Sequence, residues 1–320
     1  MTAVGRTRVV LIALTLVSGS ASAKQPDLPK VTGVAVRAMT ERDDKTGIYT
    51  YSFRLDSSPT ATLPVSDFTL DLRSDASRVE LPGGLTMSTV VLPTTQDHLL
   101  ALGPAKVVPV GLPSVPSHWL TSVDAAGFAR WGAGESALAI GSQDSGFVVT
   151  SYGLPGIRSA QLEADLFDSL PNADDPESGV TTAEVVAASK ESALKISTVG
   201  PVAPPKNFTF ASLATDIASL RMQAAEQGWV RSGPGLAQMD ALLGQVQAAI
   251  AQDALGTARS KADAFIAQVN AISCSTYDCP SSTALTSEAR ALLAYNMQYL
   301  RDRLRAPSQS APPAVDPAPK

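Results

Sequence analysis

Histidine and cysteine are scarce in this chain, with two of each in 320 residues. Histidine is the usual general base near neutral pH, and only His98 and His118 are present. Both lie far in sequence from Cys274 and Cys279, so the ligand set of a zinc centre is not assembled. A G-x-S-x-G elbow, an H-E-x-x-H helix and a Walker loop are all absent. So is any run of lysine or arginine, and the formal net charge is −5. Nucleic acid and anionic lipid are bound through concentrated positive charge, and this composition excludes both modes. Beyond the first twenty-odd residues no apolar stretch reaches transmembrane length.

The opening MTAVGRTRVVLIALTLVSGSASAKQ carries Arg6 and Arg8, then an apolar run from Val9 to Val17, then the small residues Ser18 to Ala23. Charge, apolar stretch and small residues in that order predict a secretory signal peptide over 1–23, cut after the A-x-A formed by Ala21 and Ala23. The reading is thus an exported bacterial protein, periplasmic or secreted. Loss of Arg6 and Arg8, with no acid in the leader, leaves the mature chain more acidic. No cysteine follows the cut, so a lipid anchor is not expected.

In an oxidising compartment the pair Cys274 and Cys279, in ISCSTYDCP, is expected to form a disulfide. A loop this short contributes on the order of 2 kcal/mol in the chain-entropy treatment. Its C-x4-C spacing is not that of a redox-active C-x-x-C pair.

The expected fold class is mainly β plus α as separate domains: an N-terminal antiparallel β-sandwich over 24–165, then a small C-terminal helical bundle over 207–304. In Ile48 to Leu55, Tyr49, Tyr51, Phe53 and Leu55 alternate with Thr50, Ser52 and Arg54, the period of a half-buried strand. A run from Val31 to Ala38 and further short strands at Phe68–Leu72, Ser88–Leu92, Leu138–Ile140 and Phe147–Tyr152 are punctuated by Gly and Pro, the pattern of an all-β sandwich. Residues 166–206 form an acidic and Pro-rich linker, in which Thr181–Ser192 suits a helix and 194–199 a last strand.

From residue 208 the apolar positions recur at helical spacing. The stripes are Leu213, Ile217, Leu220 and Ala224; Leu236, Met239, Leu243, Val246 and Ile250; Leu255, Ala258, Ala262, Phe265, Val269 and Ile272; and Ala289, Leu293, Met297, Leu300 and Leu304. Thr286 suits the N-cap of the last helix, with Glu288 in its first turn. The tail 305–320 is Pro- and Ala-rich without periodicity and is expected to be disordered.

On GWV at Gly228–Val230, the spaced Leu236, Leu242 and Leu243, Ala262 with Phe265 and Val269, and the closing run Leu285–Leu293, the helical third resembles the small C-terminal modules of secreted bacterial proteins called FIMAH domains. That resemblance implies an accessory, non-catalytic part. SGFVVTSYGLPGI, Ser145–Ile157, is similar to segments of exported bacterial proteins and carries no active site.

The candidate site residues are few. Trp119, Phe128 and Trp131 cluster within one stretch; Trp119 and Trp131 are candidates for a sugar-stacking platform, with core packing the heavier alternative. Asp174, Asp175 and Glu177 are hard oxygen ligands of the kind calcium takes, though Pro176 interrupts them and a solvated linker is the plainer reading. QDSGF at Gln143–Phe147 has a superficial likeness to a serine-protease nucleophile segment, but the flanking glycines and a histidine in the matching context are missing. Asp67, Asp71, Glu135 and Asp144 lie on or near strands, yet no pair is singled out for glycoside hydrolysis.

The expectation is therefore an exported non-catalytic binding or structural protein, with no cofactor, acting on an envelope polymer, an extracellular polymer or a protein partner. The alternative is a secreted, glycosidase-like hydrolase working through carboxylates.

Overall fold

The computed structural model describes residues 29–73, 110–123, 127–134, 136–164, 182–205 and 208–304. The leader, the strand expected at 88–92, His98, Glu135, the acidic stretch with Asp174, Asp175 and Glu177, and the tail 305–320 lie outside the described residues.

Nine strands are described: β1 (Val34–Arg42), β2 (Tyr49–Ser57), β3 (Val65–Asp71), β4 (Gly111–Ser114), β5 (Trp119–Val123), β6 (Phe128–Ala133), β7 (Gln143–Ser151), β8 (Leu154–Ala164) and β9 (Leu194–Val202). They form two antiparallel sheets, in the orders β1-β2-β7-β4 and β5-β6-β3-β8-β9. Alternation decides which side chains go inward. Tyr49, Tyr51, Phe53 and Leu55 of β2 are buried, as are Val34, Val36 and Ala38 of β1. Rings from the two sheets meet between them: Phe53 packs edge-on to Phe68 of β3 at 5.6 Å, and Phe147 of β7 meets Phe68 at 5.6 Å and Trp131 of β6 at 6.0 Å.

A bulge separates β2 from perfect register with β7 after Phe53. Its extra residue, Gly146, has φ +102°, a conformation that favours glycine. Alternation along β2 leaves Arg54 on its outer face, where it finds a partner from the far end of the chain.

The stretch 182–202, expected as linker with a helix and a strand possible, carries both: α1 (Thr182–Ser192) followed directly by β9. β9 pairs with β8 over its whole length. The sheet is tight there; a Cβ on Gly156 would collide with a Val202 methyl. Leu138–Ile140, expected as a strand, is only a bridge from Leu138 to Val65; Ser142 N–H bonds to the Ala139 carbonyl in a turn, which ends pairing after one residue.

The helices are α2 (Phe210–Glu226), α3 (Leu236–Ala251), α4 (Leu255–Ile272), α5 (Ser287–Arg290) and α6 (Asn296–Arg303), the last two joined by one π-helical turn, Ala291–Tyr295. Thr209 and Ser212 form a reciprocal capping box on α2. Gly228, with φ +72°, lies just beyond the end of α2. Most of the predicted stripes are buried, including Met239, Val246, Ala262, Phe265, Val269, Met297 and Leu300. The segment from Ser287 to Ala294 is buried almost throughout, Arg290 being the half-buried exception, because it is covered by helices on one side and by the sheets on the other.

That contact is specific. β1 is an edge strand, and edge strands present unpaired backbone groups. Ala38 N–H donates to Glu288 Oε1 at 2.9 Å, and Ser287 Oγ donates to the Ala38 carbonyl at 2.8 Å. Further along, Tyr295 OH donates to the Thr40 carbonyl at 3.1 Å. In the π-helical turn the Asn296 backbone N–H goes to Leu293 O. The Asn296 side-chain amide takes up Leu292 O and also reaches Pro155 O of β8, both at 2.8 Å. The last helical segment is thereby fastened to both sheets.

Tyr49 and Tyr51 lie beside this seam, Tyr49 edge-on to Tyr295 at 5.5 Å. Burial pushes the Tyr49 phenol up to about 12 and holds that of Tyr51 well above its ordinary value. Below pH ~10 both folded and unfolded states keep these protons; above it the unfolded chain ionises first, so stability falls as pH rises. Each tyrosine removes roughly 1.4 kcal/mol per pH unit in that window. Denaturant unfolding at pH 9 to 12 is expected to show this decline, with Tyr49→Phe shallower by about one proton; an unchanged slope in the variant contradicts the assignment.

Candidate functional site

The two sequence-predicted ligand residues are inside the protein. Trp131 is fully buried and stacks on Phe68 at 4.9 Å with 14° between the planes. Trp119 is 2 % exposed, edge-on to Phe147 at 5.0 Å. Neither indole offers a face to a ligand: the structure gives the heavier, core-packing alternative and not the platform. The reason is strand geometry: what reads as a Pro-rich loop is β5, paired with β6, and alternation sends residues 119 and 131 to the same inner face.

His118 is joined to this cluster. Its Nε2 lies 2.8 Å from Asp144 Oδ2, the oxygen that also accepts from Trp119 Nε1 at 2.7 Å. Asp144 Oδ1 accepts from Ser145 N–H at 3.0 Å. The carboxylate is thus occupied in holding β5 to β7. Among the described residues no hydroxyl or thiol bonds to His118. Asp67 accepts from Ser66 at 3.1 Å, and Asp71 is paired with Arg73 at 2.6 Å. Partial burial raises the Asp71 carboxyl, but its bonds from Arg73 outweigh that and leave it below the ordinary value. None of these three acids lines either of the cavities described next. Among the described residues no group of three or more His, Cys, Asp or Glu comes together to hold a metal ion, and no helix is long and apolar enough to cross a membrane.

Among the described residues a larger and a smaller cavity lie along the seam between sheets and helices, at separate places. The larger, about 410 Å³, lies between the β8–β9 edge and α2, with Asn296 and Tyr299 at one side. Its walls are apolar, including Ile157, Val202 and Leu220, and Asp216, Ser219 and Gln223 supply polar groups from α2. Gln223 Nε2 donates to Ser219 Oγ at 2.9 Å. Binding cavities generally combine an apolar wall with a few fixed polar groups at the junction of two units, and this one sits between elements that Asn296 ties together.

The smaller cavity, about 260 Å³, is polar and is lined by Arg37, Arg231, Glu288, Thr286 and the Cys274–Cys279 loop. The disulfide expected from sequence is present. Between its cysteines stand Tyr277 and Asp278, which reach Arg54 on β2. The Arg54 guanidinium donates to both Asp278 oxygens, at 2.8 and 2.5 Å, and lies 5.0 Å from the Tyr277 ring centre. Asp56 completes its partners at 2.7 Å. These bonds raise the Arg54 guanidinium, above all the one to Asp278, and hold the Asp278 carboxyl below its ordinary range; burial pushes the Tyr277 phenol up. Arg231 Nη1 holds the other side of the loop through the Pro280 carbonyl at 2.9 Å. Sequence reading placed Arg54 on the solvent side of its strand; the partner that covers it lies over two hundred residues away, and no local spacing signals it.

No protein-family model matches the chain, and no curated protein matches it in sequence.

Because the disulfide loop carries the groups that cover Arg54, its loss has two effects: the unfolded chain gains freedom, and the Arg54–Asp278 contact loosens. Denaturant unfolding of the Cys274→Ser/Cys279→Ser variant is expected to show about 2 kcal/mol less stability than the oxidised protein. Adding Asp278→Asn to that variant is expected to cost much less than it does in the oxidised protein. Equal costs in the two backgrounds contradict the coupling.

Proposed function

We propose that this is an exported bacterial protein, released from a leader that ends near Ala23, which binds a polymer of the cell envelope or extracellular space without chemically altering it. The reading takes the two sheets as a β-sandwich and the helices as a small bundle of accessory type, joined as one binding unit. The observation that carries it is the preformed cleft of about 410 Å³ between β8, β9 and α2. Its apolar wall with Asp216, Ser219 and Gln223 on one side matches a sugar ring, which has an apolar face and a hydroxyl edge. Export is supported by the order of charge, apolar run and small residues at the N-terminus and by the Cys274–Cys279 disulfide, which suits an oxidising compartment. The likeness of the helical third to FIMAH-type modules supports an accessory role. A hydrolase finds no comparable support, since Asp67, Asp71 and Asp144 are engaged in local contacts.

Co-sedimentation of the mature protein with washed envelope and with insoluble polysaccharides tests the proposal. Wild type is expected to pellet with one of these. Ser219→Trp, which fills the cleft from the half-buried face of α2, is expected to weaken that binding at least about tenfold, or 1.4 kcal/mol. Equal pelleting of the variant removes the cleft from the account. Failure of wild type to pellet with any of them overturns polymer binding and leaves a soluble protein partner as the better search.

A further inference from the structure

The polar cavity at the disulfide loop shares no lining residue with the cleft and presents an unfinished set of charges. Glu288 is 3 % exposed and lines it. Its Oε1 is satisfied by Ala38 N–H at 2.9 Å. Its Oε2 has only the Ser287 hydroxyl, at 3.3 Å, and that hydroxyl has a single proton, which the Ala38 carbonyl takes at 2.8 Å. One oxygen of a buried carboxylate is therefore left without a strong donor, a costly arrangement unless something supplies one.

Two guanidiniums line the same cavity, and no ion pair joins either of them to Glu288. Arg37 makes a 3.5 Å contact with Asp56, whose carboxylate already serves Arg54 at 2.7 Å. Arg231 uses Nη1 on the Pro280 carbonyl, which leaves its other N–H groups for the cavity. Asp278 also lines the cavity but its carboxylate is taken up by Arg54, so Glu288 and the two guanidiniums face one small space with no ion pair between them. A molecule that bridges them needs a donor cation at one end and an acceptor anion at the other. The volume, about 260 Å³, holds several water-sized groups at ~30 Å³ each and admits a compact ligand but not a polymer.

We propose that this cavity is a binding site for a small zwitterion of the amino-acid type, its ammonium on Glu288 Oε2 and its carboxylate on Arg37 and Arg231. Arginine is suited to the second role because its planar fork matches a carboxylate. The site is independent of polymer binding in the cleft, so either stands if the other fails.

Calorimetric titration of the full mature protein with L-alanine and with L-alanyl-L-alanine tests the proposal and distinguishes a free amino acid from a peptide whose charges stand further apart. N-acetyl-L-alanine and L-alaninamide serve as probes with one charge each. At least one zwitterion is expected to bind with Kd at or below about 1 mM, and both singly charged probes at least about tenfold more weakly. Glu288→Gln keeps the acceptor for Ala38 and removes the charge; it is expected to lose the preference for the zwitterion over N-acetyl-L-alanine. Arg37→Gln, at a half-exposed position on β1 whose partner Asp56 keeps Arg54, is expected to weaken the zwitterion without affecting folding. Absence of binding by both zwitterions at about 10 mM, or equal binding of zwitterion and singly charged probes, overturns it and leaves the cavity to water.

Discussion

An exposed sheet edge has to be covered, and in this protein the cover comes from the opposite end of the chain. The outward N–H and C=O of Ala38 on β1 are met by Glu288 and Ser287. These are the groups a neighbouring strand would otherwise supply. Two side chains at the start of the last helical segment thus act as one rung of a ladder, and Tyr295 adds a second contact at Thr40. The two bonds at Ala38 are buried, and loss of either leaves an unpaired backbone group, worth about 1–3 kcal/mol. The helices are held to the sheets by directional bonds as well as by apolar contact, and that fixes their position more narrowly than apolar contact alone.

The placement of both cavities follows. The π-helical turn lets Asn296 bridge Leu292 and Pro155, which sets the distance between β8 and α6 at one side of the larger cleft. At the other end, Glu288 forms part of the smaller cavity's wall while bonding to β1. The disulfide loop closes that end by delivering Tyr277 and Asp278 onto Arg54. Arg54 has 11 % of its side chain exposed, so it needs both Asp56 and Asp278 to offset its lost hydration. The same contacts that join sheets and helices therefore shape the spaces between them.

Much of the framework was legible in the residues. Period-two alternation in β2 and the apolar stripes of the helices are local signals, and the structure buries the residues they named. Thr286 caps α5, the start of the last helical segment, as its type and position suggest. β5 and β6 were not legible: Leu120, 70 % exposed, breaks the apolar alternation of β5, and the prolines before it read as loop. Without a strand there is no face to assign, so local sequence leaves Trp119 and Trp131 between core packing, the heavier alternative, and a platform. Glu288 read as a helix-start acid with a dipole role, because its partner Ala38 is 250 residues distant. One signal was available. Glu288 falls in line with Leu292 and Tyr295 on a second stripe beside that of Ala289, Leu293 and Met297. A helix apolar on two sides is buried on two sides, and an acid on either stripe needs a partner.

The measurement that bears most directly on this picture is native-state hydrogen exchange at the Ala38 amide, in the wild type and in Glu288→Ala. If Glu288 stands in for a strand, the wild-type amide exchanges as slowly as those inside the β1–β2 ladder, and the variant loses that protection while the ladder amides keep theirs relative to global stability. Rapid exchange of the Ala38 amide in the wild type, or unchanged protection in the variant, would contradict the edge-capping role on which the arrangement of sheets, helices and cavities depends.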